Sequence, residues 1–329
     1  MIAPETRLIQ IMMSKVLPLL SKLIITSSVD ATSDLVLSKY KELYGDTTDI
    51  FRFNFDLFNA YKVMVTPEGF QIEDPTGRLI KSENISSFYW RKPFSMNLSS
   101  EEGLNKYNSS FRKELLYDIV SLLKKKNTSY LVDPFKEREL RKVTQMSLAS
   151  NYFKIPNWYI GNSPSNFDFS KKDIVSKGYI QHQISKDLYP STKSLECPVS
   201  ELSSTDTWFL QEKNESDCDV TVVYVKNSLF AFEFDRSVLT AGVDWRVEEI
   251  SAQLWKPIEL SKENIIKVHE LMSEFDLYYG RLDFMRNSND DELFFLEVNT
   301  NGQFAWLDIY DKSGLISKIT NESLGEVLR

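Results

Sequence analysis

The chain is poor in the residues that build metal-pinned or disulfide-pinned scaffolds. Its 329 residues include two cysteines, Cys197 and Cys218, and two histidines, His182 and His269. Their spacing matches no zinc pattern and gives no disulfide framework, which suits a reducing compartment; a cytoplasmic protein is expected. Positive charge is also scarce. Lys and Arg total 39 against 47 Asp and Glu, a formal net charge of -8, so neither counterion release nor surface attraction supports general binding to nucleic acid or an anionic membrane. Long apolar runs are missing too. The stretch from Ile9 to Ile25 is broken by Gln10, Ser14, Lys15, Pro18, Ser21 and Lys22, and no small-residue cleavage site follows it. It reads as a lead-in to the first strand, not as an export signal or a membrane span. Internal repeats and low-complexity tracts are absent.

What is present describes a folded enzyme-sized chain. With 42% hydrophobic and 13% aromatic residues it can bury a substantial core, and 26% charged residues is ordinary for a globular protein. The length suits two or three lobes of about 100–150 residues each.

The apolar run Leu23 to Thr26, stopped by Ser27-Ser28, predicts a strand, and Asp34 to Tyr44 has helical spacing with Gly45 at its end. Ile50 to Phe55 alternates with period two. Val63 to Val65, Gly69 to Ile72 and Leu79-Ile80 are separated by turn sequences and predict hairpins. An aromatic strand, Phe88-Tyr89-Trp90, runs into Arg91-Lys92-Pro93, and Phe111 to Lys126 predicts a long amphipathic helix. Leu131-Val132-Asp133-Pro134 marks a break, which places a first domain at 1–134. Lys136 to Tyr152 is again helical, and from Pro156 short strands alternate with polar loops, a β-rich lobe at 135–207. Strands at 208–211, 220–225 and 229–234, a helix at 262–275 and strands at 280–285 and 293–298 make the third lobe, 208–329.

The chemistry is concentrated near the end of this last series. In a hairpin built from Gly280 to Met285 and Phe294 to Val298, Asp283 on one strand and Glu297 and Asn299 on the next can project from the same face. Two carboxylates and an amide oxygen suit Mg²⁺, a hard cation that shares its coordination with substrate phosphates. Either acid alone reads as a solvent-face charge of a strand. Their placement between apolar neighbours, and the Asn299-Thr300-Asn301-Gly302 loop that follows, favours the metal site.

Other candidates are individually ambiguous. Trp208 to Lys213 is an apolar strand ending in polar residues. Its Gln211-Glu212-Lys213 end can present backbone to an adenine, and Asp219 can accept from ribose hydroxyls. Read alone, the segment is better described as a solvated loop. Lys142 and Lys177 suit ATP phosphates but could be exposed lysines. Arg246, in Gly242-Val243-Asp244-Trp245-Arg246, could face charge on a transferring phosphoryl group or form a surface pair with Asp244.

In this order the pieces resemble the ATP-grasp superfamily and, within it, the maturases of microviridin-type graspetides, ribosomally made peptides closed by side-chain ester links. The resemblance rests on Gly280 to Phe284 with Phe295 to Phe304, on Phe88 to Pro93, and on Asp244-Trp245-Arg246, and spans Leu23 to about Asp308. It implies an α/β (α+β) ATP-grasp fold: an N-terminal pre-ATP-grasp α/β domain, a central small β-rich lobe and a C-terminal antiparallel-sheet lobe. It implies Mg²⁺ held by Asp283, Glu297 and Asn299; ATP phosphates held by Lys142 and Lys177; an adenine hinge at Gln211, Glu212 and Lys213; and Asp219 at the ribose. Arg246 and, less directly, Arg281 would face the γ-phosphate and an acyl phosphate. The chain departs from the family at Thr221, where relatives often carry arginine.

The activity implied is phosphorylation of Asp or Glu side chains of a precursor peptide, then attack by Ser or Thr hydroxyls, or Lys amines, of the same peptide. No His or Cys nucleophile is required. A flap around Ser185 to Ser204 would exclude water, and Arg91 and Lys92 could form a basic patch for the peptide's leader. The expected partners are a precursor peptide with leader and core and a possible second copy of the chain, with no nucleic acid or membrane. The alternatives are an ATP-grasp ligase that joins an amino acid or other small amine to a separate carboxylate, and a non-catalytic peptide-binding module.

Overall fold

The computed structural model describes residues 21–94, 104–169, 173–178, 192–239, 254–287 and 290–325. The chain forms two compact units, residues 1–132 with 314–329, and residues 133–313.

The first unit is organised by a parallel sheet of β1 (Lys22–Thr26), β2 (Ile50–Asn54), β6 (Ser87–Trp90) and β7 (Ser129–Tyr130), in the order β2-β1-β6-β7. Every residue of β1 and β6 is buried, the continuous burial expected of central parallel strands covered on both faces. Helix α1 (Ala31–Tyr44) connects β1 to β2. It starts at Asp30, whose carboxylate accepts from the Thr32 amide, and stops at Gly45 with φ 92°, a conformation glycine adopts without steric cost. The hairpins β3 (Lys62–Thr66), β4 (Gly69–Glu73) and β5 (Leu79–Lys81) form a separate antiparallel sheet. Helix α2 (Leu104–Lys125) leads from β6 towards β7.

The C-terminal helix, Leu315–Leu324, belongs to this unit and not to the third lobe in which its position in the sequence placed it. It buries Leu315, Ile316, Ile319 and Leu324 and packs on α1 and β6. Asn321 accepts a 2.8 Å hydrogen bond from the Tyr44 hydroxyl.

The second unit contains two antiparallel sheets. The smaller one orders β8 (Trp158–Gly161), β9 (Ile174–Ser176), β10 (Lys193–Ser194) and β11 (Trp208–Glu212) as β10-β9-β11-β8. Because β11 pairs with both β8 and β9, it belongs to the central lobe; a lobe boundary at 207/208 falls before this strand, and the change of sheet comes after Glu212. The larger sheet orders β12 (Cys218–Val225), β13 (Ser228–Asp235), β14 (Lys256–Ile258), β15 (Tyr279–Arg286) and β16 (Phe294–Asn299) as β14-β13-β12-β15-β16. The predicted helix Lys136 to Tyr152 is two pieces, α3 (Lys136–Glu139) and α4 (Lys142–Ala149), separated at Leu140-Arg141. Helix α5 (Lys262–Glu274) is capped by Ser261, whose hydroxyl accepts from the Asn264 amide.

Ala149 of α4 and Val268, Leu271 and Met272 of α5 share one apolar core with Val220, Val222, Leu282, Phe284, Phe295 and Val298 of the five-stranded sheet. Residues of the alternate set on these strands project from the other face, and this is where the polar cluster lies.

Candidate active site

Strand register assembles the cluster. Thr221 of β12 stands opposite Asp283 of β15, which in turn stands opposite Glu297 of β16. One step along, Arg281 faces Asn299. Directly opposed residues of antiparallel strands share a face, so these five side chains project together.

An irregularity makes the arrangement compatible with the core. The β15–β16 register shifts between Asp283 and Phe284, so that Phe284 pairs with Phe295 and Leu296 is the extra residue. A strict period of two would put Phe295, Glu297 and Asn299 on one face. The bulge lets Phe295 and Val298 both enter the core while Glu297 and Asn299 both face the site.

The hydrogen bonds form a continuous network. Asp283 accepts from the Thr221 hydroxyl at 2.8 Å, from the Arg281 guanidinium at 3.0 Å and from Asn299 Nδ2 at 3.1 Å. Glu297 accepts from Asn299 Nδ2 at 3.3 Å and from Lys142 Nζ at 2.6 Å. Lys142 is the first residue of α4, and Gln145, one turn on, accepts from the Val298 amide at 3.1 Å, which ties that helix to the edge strand. Burial works against the Arg281 charge, but the neighbouring Asp283 carboxylate outweighs it and holds the guanidinium above the usual arginine range. Arg281 also donates to the Gln303 carbonyl at 3.0 Å, and a Cβ on Gly302 would lie 2.7 Å from the Arg281 Cβ. The Asn-Thr-Asn-Gly loop is thereby folded back against the cluster.

The donor set fits a hard divalent cation. Two carboxylates converge from adjacent strands, and the positions a cation would take on them are filled by an ammonium, a guanidinium, a hydroxyl and the Asn299 amide N–H. Turning the Asn299 amide about its last bond would present a third oxygen. Among the described residues no group of three or more His, Cys, Asp or Glu is placed to hold a metal ion, so these side chains by themselves do not form a complete cage. An ion that keeps waters and takes its remaining ligands from phosphates suits such a partial site.

The other expected residues lie in two further groups of the same unit. Lys177 donates to Gln211 Oε1 at 3.1 Å, and Gln211 Nε2 is buried without a hydrogen-bond partner. The backbone amides of Glu212 and Lys213 donate to the Asn157 and Asp173 carbonyls at 2.8 Å each. These two amides are therefore already paired within the protein. Asp219, two residues before Thr221 on β12, accepts from Arg236 at 2.9 and 3.1 Å. Arg246, with Asp244 and Trp245, lies outside the described residues, as does the 185–191 part of the expected flap. Arg91 is 1% exposed, so it cannot contribute to a surface basic patch; Lys92 alone of that pair is exposed.

Arg236 is a partner of Asp219 that sequence reasoning did not find, and Thr221, noted there only as the place where relatives often carry arginine, supplies its hydroxyl to Asp283. Arg236 follows Asp235 at the end of β13, and no spacing connects it to Asp219; their proximity arises from the β12–β13 pairing.

The two antiparallel sheets in succession are arranged as in solved ATP-grasp ligases, and the chain has that fold. Among solved structures it is similar to a RiPP-associated ATP-grasp ligase from Chryseobacterium gregarium, in complex with ADP and a leader and core peptide, at 23% identity and a TM-score of 0.77, over 94% of this chain and 98% of that one. The macrocyclase MdnC from Microcystis aeruginosa, bound with precursor peptide MdnA, is 20% identical with a TM-score of 0.77, over 93% of this chain and 100% of that one. A D-alanine–D-alanine ligase from Bacillus anthracis is 12% identical with a TM-score of 0.51, over 92% and 97% of the two chains. No protein-family model matches the chain, and no curated protein matches it in sequence.

Proposed function

We propose that this chain is an ADP-forming ligase that activates Asp or Glu side chains of a ribosomally made precursor peptide and closes them onto Ser or Thr hydroxyls, or Lys amines, of the same peptide. The observation that carries the reading is the cluster in which Asp283 and Glu297 face each other with Lys142, Arg281 and Asn299 on their oxygens. The likenesses support the peptide: the two ligases aligned at a TM-score of 0.77 are both described with a leader and core or a precursor peptide.

In this reading residues 1–134 form the pre-ATP-grasp domain, 135–207 the central lobe and 208–329 the C-terminal lobe, amended at β11 and at the C-terminal helix as described above. Asp283, Glu297 and Asn299 would hold Mg²⁺, which would neutralise phosphate charge at the site of transfer. Lys142 and Lys177 hold the ATP phosphates. Gln211, Glu212 and Lys213 border the adenine and Asp219 the ribose. Arg246 and Arg281 face the transferring phosphoryl group, where cations stabilise spreading negative charge.

A peptide carboxylate oxygen attacks the γ-phosphorus and the bond to ADP breaks, leaving an acyl phosphate. The hydroxyl or amine then attacks the acyl carbon, the C–O bond to phosphate breaks, and the nucleophile's proton leaves with phosphate or solvent. Each link costs one ATP and removes one water from the peptide. Water must be kept from the acyl phosphate. The protein acts in the cytoplasm, as a monomer or homodimer; among the described residues no helix is long and apolar enough to cross a membrane.

Mass spectrometry of a precursor peptide incubated with enzyme, ATP and Mg²⁺ tests the reading. Loss of the mass of one water per link supports intramolecular closure. Mass gain by an added amino acid or amine supports the alternative ligase.

A further inference from the structure

We infer that Gln145 is a positioning residue for nucleotide binding: its side-chain amide holds the chain at both ends of the Lys142–Glu297 contact and so sets where the lysine meets phosphate. The inference rests on the proposed roles of Lys142 as a phosphate ligand and Glu297 as a metal ligand, and adds the residue that places one relative to the other.

Lys142 and Glu297 are 155 residues apart in the chain and stand on elements of different kind, a helix and a strand. Ala149 anchors the far end of α4 in the apolar core, but apolar burial is non-directional. The first turn, where Lys142 sits, is placed by directional bonds. Gln145 Oε1 accepts from the Val298 amide at 3.1 Å, and Gln145 Nε2 donates to the Leu140 carbonyl at 3.0 Å. Val298 lies between Glu297 and Asn299 on the terminal strand of the sheet, and Leu140 lies two residues before Lys142. One partner can only donate and the other can only accept, which determines the orientation of the amide.

The first turn of α4 has need of such a restraint. The helix is eight residues long and starts at Arg141, whose side chain has no acceptor to offer the amides of that turn. Just before it, Leu140 leaves the helical backbone at φ -84° and ψ 77°. Gln145 is 7% exposed, so water does not compete for its bonds, and removing either one leaves a buried backbone group without its partner. A methionine would fill the same space with neither bond. A glutamate would keep an acceptor for Val298 and lose the donor to Leu140. In both cases the turn that carries Lys142 is released from the strand that carries Glu297 and Asn299.

Binding of a non-hydrolysable ATP analogue with Mg²⁺ is measured by titration calorimetry for the full-length wild type, Gln145→Met, Gln145→Glu, Lys142→Met, and Lys142→Met combined with each Gln145 substitution. Thermal melts establish which variants are folded at the temperature of the titration, and either Gln145 substitution suffices for the test. Gln145→Met is expected to weaken the analogue roughly 3- to 30-fold, within the span of coupling between neighbouring residues, and Gln145→Glu by less. With Lys142→Met already present, neither should weaken it by more than about twofold, because the group they position is gone. A residue that only supported the fold would impose the same loss in both backgrounds.

Unchanged affinity in a folded Gln145→Met, or a loss of the same size with and without Lys142→Met, overturns the inference. If Lys142→Met alone weakens the analogue in that case, Lys142 keeps its place at the phosphates and only the positioning role falls. If Lys142→Met binds the analogue as tightly as wild type, the phosphate role of Lys142 falls and takes the inference with it.

Discussion

Asp283 and Glu297 stand directly opposite each other across β15 and β16, at the last pair before the register slips. The slip is held by Phe295, fully buried in the core with its ring 5.7 Å from that of Phe284. Phe295→Ala should therefore destabilise the fold by about 3–5 kcal/mol, the usual cost of emptying a buried aromatic position. Urea unfolding of the variant and wild type measures it. A loss below about 1 kcal/mol would mean that the bulge does not depend on this side chain.

Gly302 is fixed by a close approach, not by a special backbone angle. A Cβ there would meet the Arg281 Cβ at 2.7 Å and the Asn299 Cβ at 3.2 Å. Gly302→Ala should cost about 1–3 kcal/mol through overpacking and displace the loop that Arg281 holds. A lower unfolding temperature with a reduced rate of ADP formation is the expected result.

Asp283 carries charge that its neighbours need. Asp283→Asn removes the partner of the mostly buried Arg281 as well as a proposed metal ligand. ADP formation should fall by about 10²–10³-fold, the range seen when one electrostatic contact to a transition state is removed. Thr221→Val removes one of the three donors described above and should leave a much smaller deficit. Steady-state ADP release by the two variants distinguishes the contributions.

The thiols should differ in reactivity. Burial, reinforced by the nearby Glu233 carboxylate, pushes the Cys218 thiol up to about 12, whereas Cys197 is half-buried. At pH 8 a thiol reagent should label Cys197 in the native protein and Cys218 only after unfolding. Because the folded value lies above the unfolded one, Cys218 contributes stability that is complete below the unfolded value and is lost as pH rises from about 9 towards 12. A Cys218→Ala variant should lack this part of the alkaline loss.

Much of this was legible in the sequence, for identifiable reasons. Period-two alternation and turn residues located the hairpin of Asp283, Glu297 and Asn299, and apolar runs located nearly every strand of both large sheets. What depended on pairing between distant segments was not legible. The extra residue Leu296 has no local signature, since the bulge is defined only against β15. Arg236 reaches Asp219 across a strand pair. Strand β11 joins the central lobe because β8 and β9 accept it as a neighbour. The C-terminal helix returns to the first unit because its apolar face finds α1 and β6, a choice that nothing within those residues encodes.

The central claim is that the Asp283–Glu297 site spends ATP to close links within one peptide. The most direct test counts ADP released and water lost from a precursor peptide in the same reaction, for wild type and for Glu297→Gln. The account expects one ADP for each water lost, and neither product from the variant. ADP formed without loss of water, or links closed equally well by Glu297→Gln, would contradict it.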